Sequence, residues 1–367
     1  MKERRNSCRA KRFSKLRMKA NSLHRKKKNV RSRPRSHLQL LHQLRQNAFR
    51  DGKIDGILSR PYFAEPPLSS IQECWLSWLD RNQQGIWTWD VWKKVSESYM
   101  RGFETAYGLS SGRLLRPTTK SVAAIVTVMN EETTLPPLLR ELDRFSPDEL
   151  IIVVNGSTDN SHSVASQHPN ARIVYYEQAL GHDVGRAVGA MASSADILLF
   201  LDGDITVDAE ELLPFIYAIE QGTDIALNDL TPYIGMFHQR DGVSIVKEFL
   251  NRSLGRADLS VNSMTAVPHA MSRKALDVIG CHMLMVPPKA QSVAIMNGLI
   301  VGHGGSVNVF QKNRQRETNQ GQSNLVADLI IGDHMEALHT TMKSGSPRFN
   351  FADSIRKRHM ITGGGLT

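Results

Sequence analysis

Between residues 122 and 204 three apolar runs each stop at a polar cluster. Val122-Ala-Ala-Ile-Val-Thr-Val-Met129 gives way to Asn130-Glu131-Glu132, and a run ending at Val154 gives way to Asn155-Gly156-Ser157-Thr158-Asp159. Ile197 to Leu201 gives way to Asp202-Gly203-Asp204. Continuous apolar runs of this length predict strands buried on both faces. Helical patterns separate them. The spacing predicts strands at 122–129, 149–154, 172–176 and 196–201. It predicts helices at about 134–144, with Pro136 and Pro137 in the tolerated first turn, at about 159–167, and from a Gly-containing loop at 180–185 to Ser193. Strand–helix alternation at these intervals implies an α/β fold with a mostly parallel sheet and right-handed crossovers. The polar clusters then fall at the C-terminal ends of strands, where open α/β sheets place their ligands.

Other segments read as helical. Leu38, Leu40, Leu41, Leu44 and Phe49 predict a short amphipathic helix within 37–58. From Ile71 onward Cys74, Trp75, Trp78 and Leu79 keep helical spacing, and after a turn at Asn82 to Gly85 a second helix carries Trp87, Val91, Trp92, Val95, Tyr99 and Phe103. All five tryptophans fall in this stretch. The plain expectation is a helical hairpin packing its aromatics on the next domain; an aromatic platform for stacking sugars is the alternative. Further helices are predicted at 274–279 and from about 325 to 342. The resulting layout is a basic arm at 1–58, a Trp-rich helical segment and linker at 59–117, a ligand-binding half at 118–230, a second half with the C-terminal helix at 231–345, and a flexible tail at 346–367.

Charge sharpens this layout. Residues 1–50 hold 18 Lys and Arg against Glu3 alone, a net +17, so the rest of a chain whose total is +10 carries −7. The high isoelectric point therefore belongs to the arm. Its segment 1–35 predicts either a solvated tail or docking on an anionic surface or polyanion. Three widely spaced cysteines, Cys8, Cys74 and Cys281, make neither a disulfide framework nor a metal knuckle. No apolar run approaches the roughly 20 residues of a spanning helix. The expectation is a cytoplasmic protein, peripheral at an anionic surface through its arm.

Asp202 and Asp204, two residues apart at a strand tip, suit a divalent cation, Mg²⁺ or Mn²⁺, held against phosphate oxygens. Asn155, Ser157 and Asp159 offer hydrogen bonds, and Gly156 lets the backbone approach a ligand closely. The three clusters together point to a nucleotide-sugar site.

At this point the residues resemble a family. Val126-Thr127-Val128-Met129-Asn130-Glu131-Glu132, Ile152-Val153-Val154-Asn155-Gly156-Ser157-Thr158-Asp159, Arg186-Ala187-Val188-Gly189 and Phe200-Leu201-Asp202-Gly203-Asp204 are similar to family 2 glycosyltransferases of the GT-A fold, over about residues 120–300. The resemblance implies a nucleoside-diphosphate sugar, UDP- or GDP-linked, as donor. It implies that Thr127, Asn130 and Glu131 line the base and ribose, that Arg186 reaches the base or diphosphate, that Asp202 holds ribose and metal, and that Asp204 binds metal. Two departures stand out: Val154 replaces an acid common in relatives, and Gly181-His182-Asp183-Val184-Gly185-Arg186 differs from the usual phosphate loop.

On the acceptor side, His269 and Arg273 are candidates to face diphosphate or acceptor, with a structural His and a surface Arg as the alternative. Inverting relatives carry an acidic base where this chain reads Val286-Pro287-Pro288-Lys289-Ala290-Gln291-Ser292. Asp229, Asp241 and Asp258 are substitutes, unless the acceptor is already ionised or the reaction retains configuration. Gly298 to Arg314 resembles the end of the domain in transferases acting on phosphorylated acceptors, the glucosyl-3-phosphoglycerate synthases among them; a metal-binding His there has its counterpart near Gln311–Lys312, with His303 nearby. The reading is a metal-dependent hexosyltransferase. The alternatives are a catalytically degenerate GT-A domain that tethers partners, and a nucleotidyltransferase, whose Gly-rich basic first loop is missing here.

Overall fold

The computed structural model describes residues 37–83, 85–312 and 324–356. The expectations for the arm at 1–35, and for the last residues of the tail, lie outside the described residues. The chain divides into two compact units, Met1–Thr119 with Arg140–Ser146, and Lys120–Leu139 with Pro147–Thr367.

The first unit is built on α1 (His37–Ser59), α2 (Leu68–Asn82) and α3 (Trp89–Tyr107). The helix expected within 37–58 forms, but the expected leucine face is not its packing face. Leu38 and Leu40 are 76% and 50% exposed, while Ala48, Gly52, Asp55, Gly56 and Ser59 are buried. Small residues win because α1 and α3 approach almost backbone to backbone. A methyl on Gly102 would lie 2.0 Å from the Phe49 carbonyl oxygen, and one on Gly52 would lie 2.2 Å from that of Tyr99. Asp55 accepts a short hydrogen bond from the Tyr99 hydroxyl, and Trp78 Nε1 donates to Asp51 at 3.0 Å. Trp75 stacks on Trp78 at 5.3 Å and meets Trp92 edge-on at 5.9 Å. The aromatics thus pack on each other and on α1; with Trp75, Trp78, Trp87 and Trp92 buried, these rings form no open sugar platform. The expected linker is tied down as well: Gln72 exchanges hydrogen bonds of 2.8 and 2.9 Å with the Arg116 backbone.

The second unit is a seven-stranded sheet flanked by helices. In chain order it runs β1 (Val122–Val128), α4 (Leu135–Phe145, whose second half belongs to the first unit), β2 (Glu149–Asn155), α5 (Ser161–Ser166), β3 (Ala171–Tyr176), α6 (Val184–Ala192), β4 (Ile197–Asp202) and α7 (Ala209–Glu220). It continues with β5 (Ile225–Leu227), α8 (Gly242–Ser253), β6 (His269–Ser272), α9 (Arg273–Ile279), α10 (Pro287–Met296), β7 (Val301–His303), α11 (Val309–Lys312) and α12 (Leu325–Ser344). The sheet order is β3-β2-β1-β4-β6-β5-β7. The first four strands are parallel, and β6 is antiparallel to both neighbours. β1, β2 and β4 are buried almost throughout, which is why they read as unbroken apolar runs. β2 and β4 flank β1 on opposite sides, so the chain reverses direction across the sheet there and opens a crevice above the C-terminal tips of β1 and β4.

The tail expected to be flexible from 346 is held as far as 351. Phe349 and Phe351 meet the Phe249 ring of α8, and Asn350 donates to the Ser253 carbonyl at 3.1 Å. Among the described residues no helix is long and apolar enough to cross a membrane.

The α1–α3 crossing yields a test. Gly→Ala in a helix ordinarily gains about 1 kcal/mol of propensity. Here the added methyl meets a backbone carbonyl, and overpacking of this kind costs about 1–3 kcal/mol or more. Gly102→Ala is expected to lower the unfolding midpoint of the first unit by several degrees in calorimetry. An unchanged or raised midpoint would show that the helices separate without cost.

Candidate functional site

The crevice is organised by one register. Thr127 of β1 lies directly beside Asp202 of β4, and its hydroxyl donates to Asp202 Oδ1 at 2.6 Å. The Gly203 N–H closes on the Thr127 carbonyl at 2.8 Å. These bonds hold the first carboxylate at the strand tip, with Asp204 two residues further along the same turn.

Arg186, in the first turns of α6, reaches this carboxylate from beneath. It is 3% exposed, and both terminal nitrogens of its guanidinium are bonded to protein groups. Nη1 pairs with Asp183 at 3.0 Å and with the Met264 carbonyl at 3.1 Å; Nη2 pairs with Asp202 Oδ2 at 3.3 Å, and both nitrogens lie 3.4 Å from the Thr265 carbonyl. Burial acts against its charge, but Asp183 and Asp202 outweigh that and hold its pKa above the ordinary value. Arg186 is therefore a brace beneath the site, occupied by protein groups, and not the free ligand-reaching arm that the family resemblance implies.

Asp183 is the partner that sequence reasoning missed, although its i, i+3 spacing to Arg186 was the available signal. It takes left-handed backbone angles (φ 61), a strained choice for a side chain other than Gly or Asn. Burial pushes its carboxyl up, against the pull of Arg186 and His182. One oxygen receives Arg186; the other is buried with no hydrogen bond among the described residues and faces His182 Nε2 at 3.7 Å. Lys247 of α8 lies within electrostatic reach of Asp183 and Arg186, and burial lowers it to about 8. On α12, His334 is fully buried; its Nδ1–H donates to the Ile330 carbonyl at 2.6 Å.

The first two polar clusters interlock. Asn130, also left-handed (φ 61), accepts the Thr158 N–H at 2.8 Å and donates its own N–H to Ser157 Oγ at 3.1 Å. The Glu131 N–H reaches Ser161 Oγ at 2.7 Å, and the Glu131 carboxylate, buried, accepts from the Thr134 hydroxyl at 2.9 Å. Asp159 takes the N–H groups of Glu132 and Ser161 at 3.1 and 2.9 Å; burial raises its carboxyl, but these bonds win and hold it below the usual range. Asn155 clamps the next loop, donating to Gly181 and accepting from Leu180 at 3.0 and 2.7 Å. Gly156 has φ 69, and a methyl there would lie 2.5 Å from the Ala179 nitrogen. Asn130, Glu131, Asn155, Ser157 and Asp159 therefore fix the walls of the crevice through one another.

The two acceptor-side candidates part company. Phe200 pairs with His269, so His269 lies toward the C-terminal half of β4, yet it is buried and stacked on the Phe200 ring at 5.0 Å. Burial, then repulsion by Arg186, lowers its pKa to about 3. It is a neutral core histidine whose Nδ1–H donates to the Ala266 carbonyl at 3.1 Å. Arg273 is a correction. It caps the opposite, N-terminal end of β4, donating to the Ser193 and Ala195 carbonyls at 3.1 and 2.7 Å. The six residues of β4 separate it from Asp202, on the order of 20 Å at strand spacing. His303 Nε2 accepts from Asn262 Nδ2 at 3.0 Å, and His303 lies within electrostatic reach of Asp229.

Among the described residues, no three or more His, Cys, Asp or Glu side chains gather into a metal cage. Asp202 and Asp204 supply hard oxygen donors only. That donor set fits Mg²⁺ or Mn²⁺ of the kind that keeps water and shares phosphate oxygens of a ligand.

Residues 123–280 match the family model for glycosyl transferase family 2. The undecaprenyl-phosphate 4-deoxy-4-formamido-L-arabinose transferase of Serratia proteamaculans is 24% identical over 176 residues, covering 44% of this chain and 52% of that protein. An uncharacterized glycosyltransferase of Mycobacterium tuberculosis is 27% identical over 116 residues, covering 32% and 51%. The chain spans about half the length of these curated relatives. A crystal structure of glucosyl-3-phosphoglycerate synthase from M. tuberculosis, in complex with Mn²⁺, uridine diphosphate and phosphoglyceric acid, superposes with a TM-score of 0.44 at 18% identity, covering 64% of this chain and 81% of that one.

Two tests follow from the brace and the buried histidines. Arg186→Met leaves Asp183 and Asp202 uncompensated, and breaking a buried pair costs about 3–5 kcal/mol. Denaturant unfolding is expected to show a loss of that order, partly restored in Arg186→Met/Asp183→Asn; equal losses in single and double variants would mean that the pair is not coupled. His269 and His334, lowered by burial to about 3 and about 4, bind protons in the unfolded chain first. Their stability contribution is whole above about pH 6.5 and declines as pH falls toward 4, by up to about 1.4 kcal/mol per pH unit for each. A flat stability between pH 6.5 and 4.5, in a chain with its carboxylates otherwise ionised, would contradict their burial.

Proposed function

We propose that this chain, whose residues 123–280 are a glycosyl transferase family 2 domain, is a divalent-metal-dependent glycosyltransferase that moves a sugar from a nucleoside diphosphate to an acceptor. The observation that carries this reading is the Thr127–Asp202–Arg186 contact at the tips of β1 and β4, with Asp204 on the same turn. Asp202 and Asp204 would hold Mg²⁺ or Mn²⁺, which when bound neutralises charge on the departing diphosphate. The remaining residues act through position. Thr127 and Arg186 hold the Asp202 carboxylate in place at the tip of β4. The interlocked loops at 130–134 and 155–161 give a rigid wall for base and ribose, a preformed arrangement that costs no reorganisation when donor binds. Val154 withholds the carboxylate that relatives direct at the base, so both UDP- and GDP-sugars belong in the trial set.

A second reading has its own support. The segment 287–292, where a base would stand, is the start of α10, and its only side chain with acceptor oxygens besides Ser292 is the fully buried Gln291. A degenerate domain that binds a sugar nucleotide without turnover would look like this. The arm at 1–35 would then add electrostatic docking on an anionic surface, in line with a relative whose name includes undecaprenyl phosphate.

Titration calorimetry with UDP-glucose and GDP-mannose, with and without Mn²⁺, tests the reading. At least one is expected to bind only with metal, and Asp204→Ala is expected to weaken that binding at least tenfold while leaving the melting temperature near the parent's. Metal-independent binding, unchanged in Asp204→Ala, would remove the proposed ion site.

A further inference from the structure

A neutral hydroxyl that displaces a leaving group at a sugar carbon needs a base within hydrogen-bond reach. Two of the carboxylates suggested by sequence are spent elsewhere. Asp241 caps α8, accepting the Ser244 N–H at 2.7 Å. Asp258 is bonded twice to Arg256, at 2.9 and 2.6 Å. Asp229 stands at the crevice, where strand register puts it. Ala226 of β5 pairs with Ala270 of β6, and Ala270 pairs with Leu199 of β4. β4 and β5 are both antiparallel to β6 and so run the same way. Three residues past Leu199 is Asp202; three residues past Ala226 is Asp229. The chain stays extended beside β7 over that step, with the Asp229 N–H donating to the Gly305 carbonyl at 2.8 Å. The two aspartates are therefore level at one edge of the sheet, and with one strand between them their α-carbons are on the order of 10 Å apart. They also share a face. Phe200 and Leu227, two residues before them, join one core cluster, and strand alternation carries that side on to Asp202 and Asp229. Contacts agree with the register. The loop at 262–265 bridges the pair: Asn262 Nδ2 donates to Asp229 Oδ1 at 3.0 Å, and the Met264 and Thr265 carbonyls receive Arg186, which also bonds Asp202. Asp229 Oδ1 accepts the Thr231 N–H as well, at 3.0 Å. Among the described residues Thr231 and Asn262 are the only partners of this carboxylate, and its Oδ2 is open to solvent.

We propose that Asp229 is the general base of the transfer, its Oδ2 taking the proton of the attacking hydroxyl; this rests on the transferase reading above. In the step, a lone pair of the hydroxyl oxygen bonds the anomeric carbon as the hydroxyl proton passes to the Asp229 carboxylate. The bond from that carbon to the diphosphate oxygen breaks, and its electron pair leaves with the nucleoside diphosphate. Attack opposite the leaving group inverts the anomeric centre. The span suits the role. In glycoside hydrolysis, carboxyl groups about 6.5–9.5 Å apart admit an inverting displacement between them, one serving the leaving side and one the entering side. Asp202, which with Asp204 would serve the departing diphosphate, and Asp229 stand at a comparable separation. The two bonds at Oδ1 hold the base still and leave its other oxygen for the incoming hydroxyl. Burial raises the Asp229 carboxyl, but the bonds from Thr231 and Asn262 outweigh burial and keep it ionised at neutral pH.

The test uses the full chain with Mn²⁺ and UDP-glucose or GDP-mannose, and compares two small nucleophiles, water and azide. Water has to lose a proton; azide is already an anion and needs no base. Asp229→Asn keeps an oxygen for Thr231 and Asn262, so its melting temperature and its donor affinity in calorimetry are expected to match the parent's. With water, its kcat for nucleoside diphosphate release is expected to fall about 10²–10⁴-fold; with azide it is expected to keep the parent's rate. Asp229→Glu is expected to recover part of the water rate. The azide product from either α-linked donor is expected to be the β-glycosyl azide by NMR. Parental rates with water in Asp229→Asn, equal losses with water and azide, or an α-glycosyl azide would overturn the assignment while leaving the transferase reading in place. A parent protein that binds a donor yet transfers to neither nucleophile would overturn the assignment with donor binding intact. A parent that binds neither donor would overturn the reading on which the assignment rests.

Discussion

A guanidinium with 3% of its surface exposed can stay charged in a protein interior only if other groups replace its water, and Arg186 is given two carboxylates and two carbonyls for the purpose. The desolvation of such a group is expensive, so its surroundings have to be fixed before it is tolerated. That requirement runs through the whole site. Asp183 accepts a left-handed backbone to present its carboxylate, Asp202 is held by Thr127 across the β1–β4 register, and the loop at 262–265 turns its carbonyls inward. Loosening any of the three leaves a buried charge unmatched. The crevice is rigid for this reason, before any ligand arrives.

Rigidity also explains the positions of the other polar residues. The loops after β1 and β2 bond to each other through Asn130, Ser157, Asp159 and Ser161, and the second of them holds the loop at 180–181 through Asn155. A pocket wall made this way loses little conformational entropy on binding, which is where preorganised sites gain over flexible ones. The same bonds mean that a side chain matching a family motif need not touch the ligand. Here most of them act one step removed, by holding backbone N–H groups and Asp202 in place.

The parallel half of the sheet was legible because β1, β2 and β4 are buried on both faces and carry unbroken apolar runs, and because their tips carry polar clusters. Asp202 and Thr127 could be placed together from strand order alone. The opposite half was less legible. β5 and β7 have three residues each, too few to show a period, and α8 begins at an Asp cap in a stretch with weak alternation. Arg273 illustrates a different limit. Its sequence neighbours suggested the acceptor side, but antiparallel pairing of β6 with β4 carries each residue after His269 away from the site, and four residues suffice to reach the far end. Helix α1 misled through composition: its leucines are conspicuous, whereas its packing rests on Gly52 and Gly56, which carry no side chain, and on the small Ala48.

The amide side chains near α10 connect these strands of argument. Gln291 accepts the Met264 N–H at 2.8 Å and donates to Asn251 Oδ1 at 2.8 Å; Asn251 Nδ2 donates to the Ser260 and Asn262 carbonyls at 2.9 and 3.0 Å. Asn262 in turn accepts the Leu230 N–H at 2.9 Å and donates to Asp229 at 3.0 Å. This neutral ladder fixes the loop whose carbonyls receive Arg186. A glutamate at 291 could still accept from Met264, but it could donate nothing to Asn251 and would bury an unpaired charge, a cost of several kcal/mol. The segment that inverting relatives use for an acid is therefore committed here to supporting the brace, and an amide is the group that does so without adding charge beneath it.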